Sequence, residues 1–445
     1  MSATVITADG SRQVSAASKR RFMMRMIVVL TGGMFLDGYI LGIVGPVSAT
    51  MAADMQLSVF WEGFVAAAAL FGILVGSPLG GWAADKYGRK PLFMIDMALF
   101  VVASALQFFV ESPLHLAIVR VLMGVAIGAE YSVGWPLMSE FAPARLRGRL
   151  MALTLVAWYA GFMIAFFIGH VLNEAGLSWR LILGTSTVLA LALFLARLGL
   201  PESPRWLWQA GRKDEARRIA HRYLESAEDM ADIEHEEIHK GSFGMLFSRD
   251  YWRATLFVSM FWFCAVAPYF AIATFADSVL QKYGLSGGLA GGVALSAVAL
   301  TAVIITVVLI DRLGRRALTV PPQWVCTLVL AVIGLWAGAP PLVVLVLFLT
   351  FSFFNAMYTT LTGVYPGEVF PTEIRGIGTG FAAAVSRIGA GLGTFLLPVS
   401  MTNLGSGPTM LIAAGIALFG ALLSQWLAPE TRGKSLSQTA AGMSH

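Results

Sequence analysis

The chain reads as an all-α membrane protein of twelve transmembrane helices in two pseudo-symmetric six-helix bundles, and three observations predict this. Hydrophobic residues make up 57% of the 445 positions and charged residues 13%, with a mean hydropathy of +0.73, whereas soluble domains carry about 25% charge. Apolar stretches near the roughly 20 residues needed to cross a bilayer recur along the chain. The block Glu140-Phe-Ala-Pro143 to Arg147-Gly148 returns as Glu368-Val-Phe-Pro371 to Arg375-Gly376, 228 residues later (368 − 140).

Two further pairs keep nearly that offset. Pro201-Glu202-Ser203-Pro204-Arg205 matches Pro429-Glu430-Thr431-Arg432, 228 apart (429 − 201), and Asp85-Lys-Tyr-Gly88-Arg89-Lys90 matches Asp311-Arg-Leu-Gly314-Arg315-Arg316, 226 apart (311 − 85). Motifs repeated in the same order after the same number of spans imply two halves related by an axis along the membrane normal. A pathway between the halves is the natural consequence.

The expected organisation is an N-terminal cytoplasmic tail (1–21), a first bundle (22–199), a cytoplasmic linker (200–252), a second bundle (253–427) and a C-terminal cytoplasmic tail (428–445). Spans are expected at 22–48, 60–84, 91–110, 113–141, 149–172 and 179–199, then at 253–281, 286–310, 317–337, 341–369, 374–402 and 407–427. With both termini inside, 26 of the 31 Lys and Arg fall on cytoplasmic segments, as the positive-inside rule requires. The other five are Arg180 and Lys282 on the outer side, Arg197 near the inner end of span six, and Arg120 and Arg387 within spans. The net charge of +5 then follows from loop bias and anionic inner-leaflet lipid, with no nucleic-acid partner implied. The polar first 21 residues argue against a cleaved secretory signal.

The linker carries a charged run, Arg212-Lys-Asp-Glu215-Ala-Arg217-Arg218, with Asp214 and Arg218 at helical spacing, which predicts short amphipathic helices on the membrane surface. Its His221, His235 and His239 are irregularly spaced and read as solvated helix surface. Cys264 and Cys326 fall within spans and read as packing residues, so neither a disulfide framework nor a metal site is expected. The sequence lacks a phosphate-cradling Gly-Lys-Ser/Thr loop and a catalytic triad spacing. It is read as a non-enzyme without cofactors, driven by a gradient.

Charged residues at bilayer depth carry the functional argument. Arg387, midway along span eleven, cannot lose its proton and needs a partner or a wet cavity. Asp37 of span one and Glu130 of span four lie at comparable depth and can couple protonation to movement. The competing explanation is that the three merely pair and set helix register. Arg120 lies nearer the outer end of span four, where its stem can snorkel to the interface or pair across helices, and a functional and a structural role are weighed evenly. Asp96 and Asp277 read as solvated or capping groups near span ends. Tyr39, Tyr131, Trp135, Tyr159, Trp262, Tyr269, Asn355 and Tyr358 are candidates to wall a cavity, against the alternative of packing or lipid contact. Gly32-Gly33, Gly124 with Gly128, and Gly376 to Gly393 offer small residues for close helix approach.

Over essentially its whole length the chain resembles the major facilitator superfamily. Gly81-Trp-Ala-Ala-Asp85-Lys-Tyr-Gly88-Arg89-Lys90 matches that superfamily's signature between spans two and three, and Asp311 to Arg316 its second copy. Arg120 to Gly148, Pro201 to Leu207, Pro366-Gly-Glu368 with Arg375-Gly376, and Pro429 to Lys434 resemble its sugar-porter and organic-ion branches. The span-seven amides of sugar porters are missing from Phe261-Trp-Phe-Cys-Ala-Val-Ala-Pro268-Tyr-Phe-Ala-Ile, and Ile40 stands where those porters place a proton-carrying aspartate. Asp37 matches the first acid of an Asp-Gly-x-Asp pattern of aromatic-acid symporters, whose second acid is absent. Gly128-Ala-Glu130 and Ser386-Arg387-Ile-Gly389 resemble segments of carboxylate and organic-anion carriers.

The resemblance implies a multi-pass monomer of the bacterial inner-membrane type that moves a small organic substrate with protons. The leading expectation is proton-coupled import of an aromatic or sugar-acid carboxylate, with Arg387 holding the carboxylate and Glu130 or Asp37 carrying the proton. A neutral sugar or polyol symporter is the alternative, and a non-transporting solute sensor a lesser one. Asp85, Arg89, Glu140, Arg147, Glu202, Arg205, Asp311, Arg315, Glu368, Arg375 and Glu430 are expected to form a cytoplasmic charge network that latches the halves when the outside is open.

Overall fold

The computed structural model describes residues 5–6, 12–13, 16–141, 144–223, 242–285, 289–336, 338–370 and 372–432. Apart from a two-residue antiparallel pairing of Val5–Ile6 with Arg12–Gln13, these residues are helical or form turns between helices.

Among the described residues eleven helices are long and apolar enough to cross a membrane. Where the sequence predicts span nine at 317–337, the helix Val320–Leu335 has 16 residues. Its start is set by Pro321 and Pro322, which are tolerated only in a first turn. At 1.5 Å per residue it covers about 24 Å, short of the ~30 Å hydrocarbon thickness.

Span one runs as Ala16–Gly42 and continues as Val44–Asp54. Spans two to five are Val59–Tyr87, Arg89–Leu106, Pro113–Phe141 and Ala144–Glu174. Span six is broken into Trp179–Gly184 and Ser186–Arg197. In the second half, spans seven and eight are Trp252–Thr274, extended by Ala276–Lys282, and Ala294–Leu313. Spans ten to twelve are Pro341–Thr359, Thr372–Asn403 and Ser406–Leu427. Between the halves lie two short helices, Pro204–Gln209 and Lys213–Tyr223. The second buries Ala216 and Ala220 and stacks Tyr223 on Phe22, 4.1 Å between ring centres.

Without a hydrophobic drive between helices in lipid, the spans associate through close packing of small residues. Span two meets span four where a side-chain carbon on Gly72 would come within 2.2 Å of the Val121 carbonyl oxygen, and one on Gly124 within 2.0 Å of that of Ala69. Span one meets span five in the same way, Gly38 against Trp158 and Gly161 against Phe35.

The two halves pack against each other toward the face opposite the start of span one, called the distal face here. Gly63 of span two lies under the backbone of Phe395 of span eleven, Gly45 of span one against the Thr274 carbonyl of span seven, and Gly292 beside Phe166. Phe60 and Phe64 close around Phe395, with ring centres 5.3 and 6.2 Å away. In contrast, Gly376 and Gly380 at the other end of span eleven have no neighbour within 4 Å of where a Cβ would stand. The halves are thus apposed at the distal face.

A Cβ on Gly63 would lie 2.2 Å from the Phe395 carbonyl oxygen, well inside contact distance. Gly63→Leu is expected to hold the distal side apart while leaving the yield of folded protein intact. Thiol labelling of a single cysteine introduced at Phe395 should rise in that variant, and unchanged labelling would contradict the packing described.

Candidate functional site

Between the halves lies a small cavity walled by Tyr131, Trp135, Trp158 and Tyr159 from the first half and by Trp262, Tyr269, Phe270, Thr359, Thr360, Thr362 and Arg387 from the second. Its volume is about 60 Å³, against roughly 300–1,000 Å³ for sites that hold drug-sized ligands. Water fits there, but a solute of sugar or benzoate size needs the aromatic walls or the halves to move. A larger, open groove at Ala17, Arg20, Arg21 and Met24 lies at the beginning of span one, away from these converging groups.

Among the described residues Arg387 is the only charged one in the lining. It is 7% exposed, its guanidinium lies 5.5 Å from the Tyr131 ring centre, and Tyr131 in turn stacks on Trp135 at 5.5 Å. A cation over an aromatic face gains electrostatic stabilisation that grows when water is excluded. Its Nε makes no hydrogen bond within the protein. The position therefore offers N–H donors to an incoming acceptor.

Of the residues expected to wall a cavity, Tyr131, Trp135, Tyr159, Trp262 and Tyr269 do line it. Three others do not. The Tyr39 hydroxyl pairs with Thr185 Oγ1 at 2.7 Å, tying span one to the break in span six. Asn355 donates to the Ala265 carbonyl (3.1 Å) and to the Tyr358 hydroxyl (2.7 Å), and accepts from Thr359 at 3.3 Å. Its amide need not seek a substrate, because neighbouring helices already satisfy it. Trp158, Phe270 and the threonines of 359–362 were not singled out from sequence, since isolated aromatic and hydroxyl residues in a span carry no positional signal.

The first half holds a buried charge cluster that sequence reading assigned only in part. Arg197 is 0% exposed and bridges two acids, Nη1 to Asp96 Oδ1 at 3.1 Å and Nη2 to Glu130 Oε1 at 2.7 Å. It also donates to the Phe93 carbonyl at 2.9 Å and lies 3.6 Å from that ring's centre. Asp96, expected to be solvated or capping, is instead 2% exposed, because span three turns that face inward onto span six. Glu130 is committed to this bridge and does not line the cavity. Asp37 is fully buried, and neither of its carboxylate oxygens has a hydrogen-bond partner within the protein. The charged groups acting on it are Glu130, Arg197 and Arg387.

Arg120 is also buried, and it neither snorkels nor meets an acid among the described residues. Its Nε donates to the Val65 carbonyl at 3.2 Å, and Nη1 has no partner. Ile40, where the family resemblance would place an aspartate, is buried and apolar. Asp277, expected near a span end, accepts from the Gly292 amide at 3.2 Å.

At the terminal face the repeated motifs form two matching brackets. Glu202 accepts the backbone N–H of Arg89 (3.0 Å) and Lys90 (3.1 Å), and Glu430 those of Arg315 and Arg316, both at 3.0 Å. Gly88 and Gly314 adopt φ of +107° and +88°, and a Cβ there would strike the same carboxylates at 2.5 and 2.6 Å. Only glycine suits both demands. Arg89 pairs with Asp85 at 3.2 Å, and Arg315 with Asp311 at 3.2 Å and Glu368 at 2.8 Å. Thr431 donates to Glu368 as well. Each of these ion pairs lies within one half; the latch between halves is expected when the outside is open, whereas here the distal face is apposed. The Glu140, Arg147 and Arg375 side chains lie outside the described residues, as do His235 and His239, and Arg205 has a further partner.

Two bundles of six spans around a central cavity define the class: a multi-pass membrane transporter of the major facilitator fold. The family model "Sugar (and other) transporter" matches residues 25–442, and the chain belongs to that family. It is 37% identical over 423 residues to the inner membrane metabolite transport protein YgcS of Escherichia coli, covering 95% of this chain and 94% of that protein. The D-xylose transporter of Levilactobacillus brevis is 26% identical over 425 residues, covering 91% and 92%. The proton:xylose symporter XylE of E. coli, solved with 6-bromo-6-deoxy-D-glucose, shares the fold with a TM-score of 0.79 at 20% identity, covering 96% of this chain and all of that one.

Burial pushes the Glu430 carboxyl up, but the N–H groups of Arg432, Arg315 and Arg316 outweigh it and hold the group below the usual glutamate value of 4.5. A carboxyl lowered on folding stabilises the fold above its unfolded value and loses that contribution as pH falls through the folded one. Glu430→Gln should therefore lower the thermal midpoint at pH 7 and narrow its gap from wild type below about pH 4. A gap that stays constant with pH would count against the bracket's charge. Arg197→Ala, which strands two buried acids, is expected to cost about 3–5 kcal/mol in an equilibrium unfolding measurement.

Proposed function

We propose that this chain is a proton-coupled secondary transporter that imports a small organic carboxylate, aromatic or sugar-acid in type, by rocking of its two halves around the central cavity. The observation that carries the reading is Arg387, the one permanent charge on the cavity wall among the described residues, with an unengaged N–H and an aromatic floor. A guanidinium presents paired donors that match a carboxylate, and the surrounding rings suit the flat or ring-shaped remainder of such a solute. Sugar-binding amides are absent from the lining.

Asp37 is assigned the transported proton. With the cavity empty it balances Arg387, and when a substrate carboxylate takes that role Asp37 accepts a proton, so the site stays neutral. Moving the loaded site then carries one proton with one anion. The terminal face is taken as cytoplasmic on its Lys and Arg content, so the apposed distal side corresponds to the inward-facing half of the cycle. Neither a metal nor a cofactor is needed for this step.

A second reading, symport of a neutral sugar or polyol, is favoured by the relatives: the family model carries sugar in its description, and the xylose transporter aligns along nearly its full length. The names of the relatives support this reading more than the acid reading, while the side chains of the cavity support the acid. In the neutral case Thr359, Thr360 and Thr362 would meet substrate hydroxyls and Arg387 would donate to one of them.

A thermal-shift screen of the purified protein against benzoate, gluconate, glucuronate, xylose, glucose and myo-inositol separates the two, because a ligand at 100 times its Kd stabilises by about 2.7 kcal/mol. Arg387→Ala is expected to weaken an acid by about 10- to 100-fold, the worth of a charged hydrogen-bond pair. Asp37→Asn should keep counterflow but lose acceleration by an inward proton gradient. Stabilisation by neutral sugars alone, unaltered in Arg387→Ala, would overturn the acid reading.

A further inference from the structure

Arg197, Asp96 and Glu130 form a closed cluster of two acids and one cation within the first half. Asp96 and Glu130 each give one carboxylate oxygen to the same guanidinium, while Asp96 Oδ2 and Glu130 Oε2 have no hydrogen-bond partner within the protein. Two buried acids against one guanidinium leave one uncompensated negative charge, which a single proton held on the pair removes, and the unpartnered oxygens are where it would sit. Gly33 of span one presses directly on the cluster: a Cβ there would lie 2.3 Å from Glu130 Oε1 and 2.7 Å from Arg197 Nη2. Asp37 lies one helical turn further along the same span. It is faced by Glu130 and Tyr131 from span four, Arg197 from span six and Arg387 from span eleven.

We propose that Arg197 is a positioning residue that locks Asp96 and Glu130 around one resident proton, so that the cluster never exchanges protons across the protein and Asp37 alone carries the transported one. The charge count leads to this division. Two acids, one guanidinium and one shared proton sum to zero, and Asp37 with Arg387 sums to zero separately. A buried cluster that is neutral and closed has no drive to take or release a proton during the cycle, whereas Asp37 meets a changed balance each time an anion reaches Arg387. Gly33 is required because any larger residue would wedge the Glu130 carboxylate from Arg197. The division of labour rests on the proton-coupled reading above, but the cluster's proton tightness does not need substrate.

The test is proton leak in proteoliposomes holding a trapped pH dye, driven by a potassium diffusion potential with no substrate present. Wild type should be tight. Arg197→Gln and Gly33→Ala, which open the cluster by different means, should leak severalfold faster, with Arg197→Lys restoring tightness. The triple change Asp96→Asn with Glu130→Gln and Arg197→Gln, which removes every ionisable group of the cluster, should abolish the leak. A leak that persists in the triple variant would mean a loosened bundle and overturn the proposal. So would tight behaviour of both Arg197→Gln and Gly33→Ala at wild-type yield. Where Arg197→Gln fails to fold, Gly33→Ala carries the test, since it removes no charge. Loss of substrate-driven proton entry in wild type would instead strike the coupling reading, and is measured separately by adding gluconate and benzoate.

Discussion

A guanidinium in hydrocarbon keeps its charge, and the first half of this protein is arranged around that constraint at Arg197. Its partners come from three other spans: Asp96 and the Phe93 carbonyl from span three, Glu130 from span four, and Gly33 from span one, whose missing side chain makes room. Burying charges costs several kcal/mol each unless geometry compensates, so the bridge fixes how four helices meet at this depth. The neighbouring Asp37 has no such compensation: neither of its oxygens has a partner within the protein, and Arg387 is among the charges acting on it, which is what the proposed coupling uses.

Arg120 shows the other outcome of the same constraint. In the sugar-porter pattern that arginine stands beside an aspartate of span one, but here Ile40 fills the place and Arg120 leans on a single backbone carbonyl. The acid has moved by three residues, to Asp37, and its electrical partners have moved with it, to spans six and eleven. The chain keeps the family fold while placing its buried acid and the cations around it differently.

The repeated terminal motifs act within each half. Glu202 and Glu430 each close a bracket onto the turn after span two or span eight, and Arg315 gathers Asp311 and Glu368 inside the second half. With the distal side apposed through Gly63, Gly45 and Gly292, such brackets stiffen each bundle as a unit. Rigid units are what rocking requires, because a soft bundle would absorb the motion instead of passing it to the cavity.

Sequence by itself determined the membrane class, the duplication and its axis, and which charges lie at bilayer depth, because composition, spacing and loop charge are one-dimensional properties. It also exposed Arg387 and Asp37, since an ionised group in an apolar run is visible without coordinates. It misjudged Asp96 and took Asn355, Tyr358 and Tyr39 for cavity candidates. Those outcomes depend on which face of each helix turns toward which neighbour. Only tertiary structure decides that, because a span that is apolar on all sides carries no periodicity to orient it, and the partner that satisfies a buried polar group comes from a helix distant in sequence.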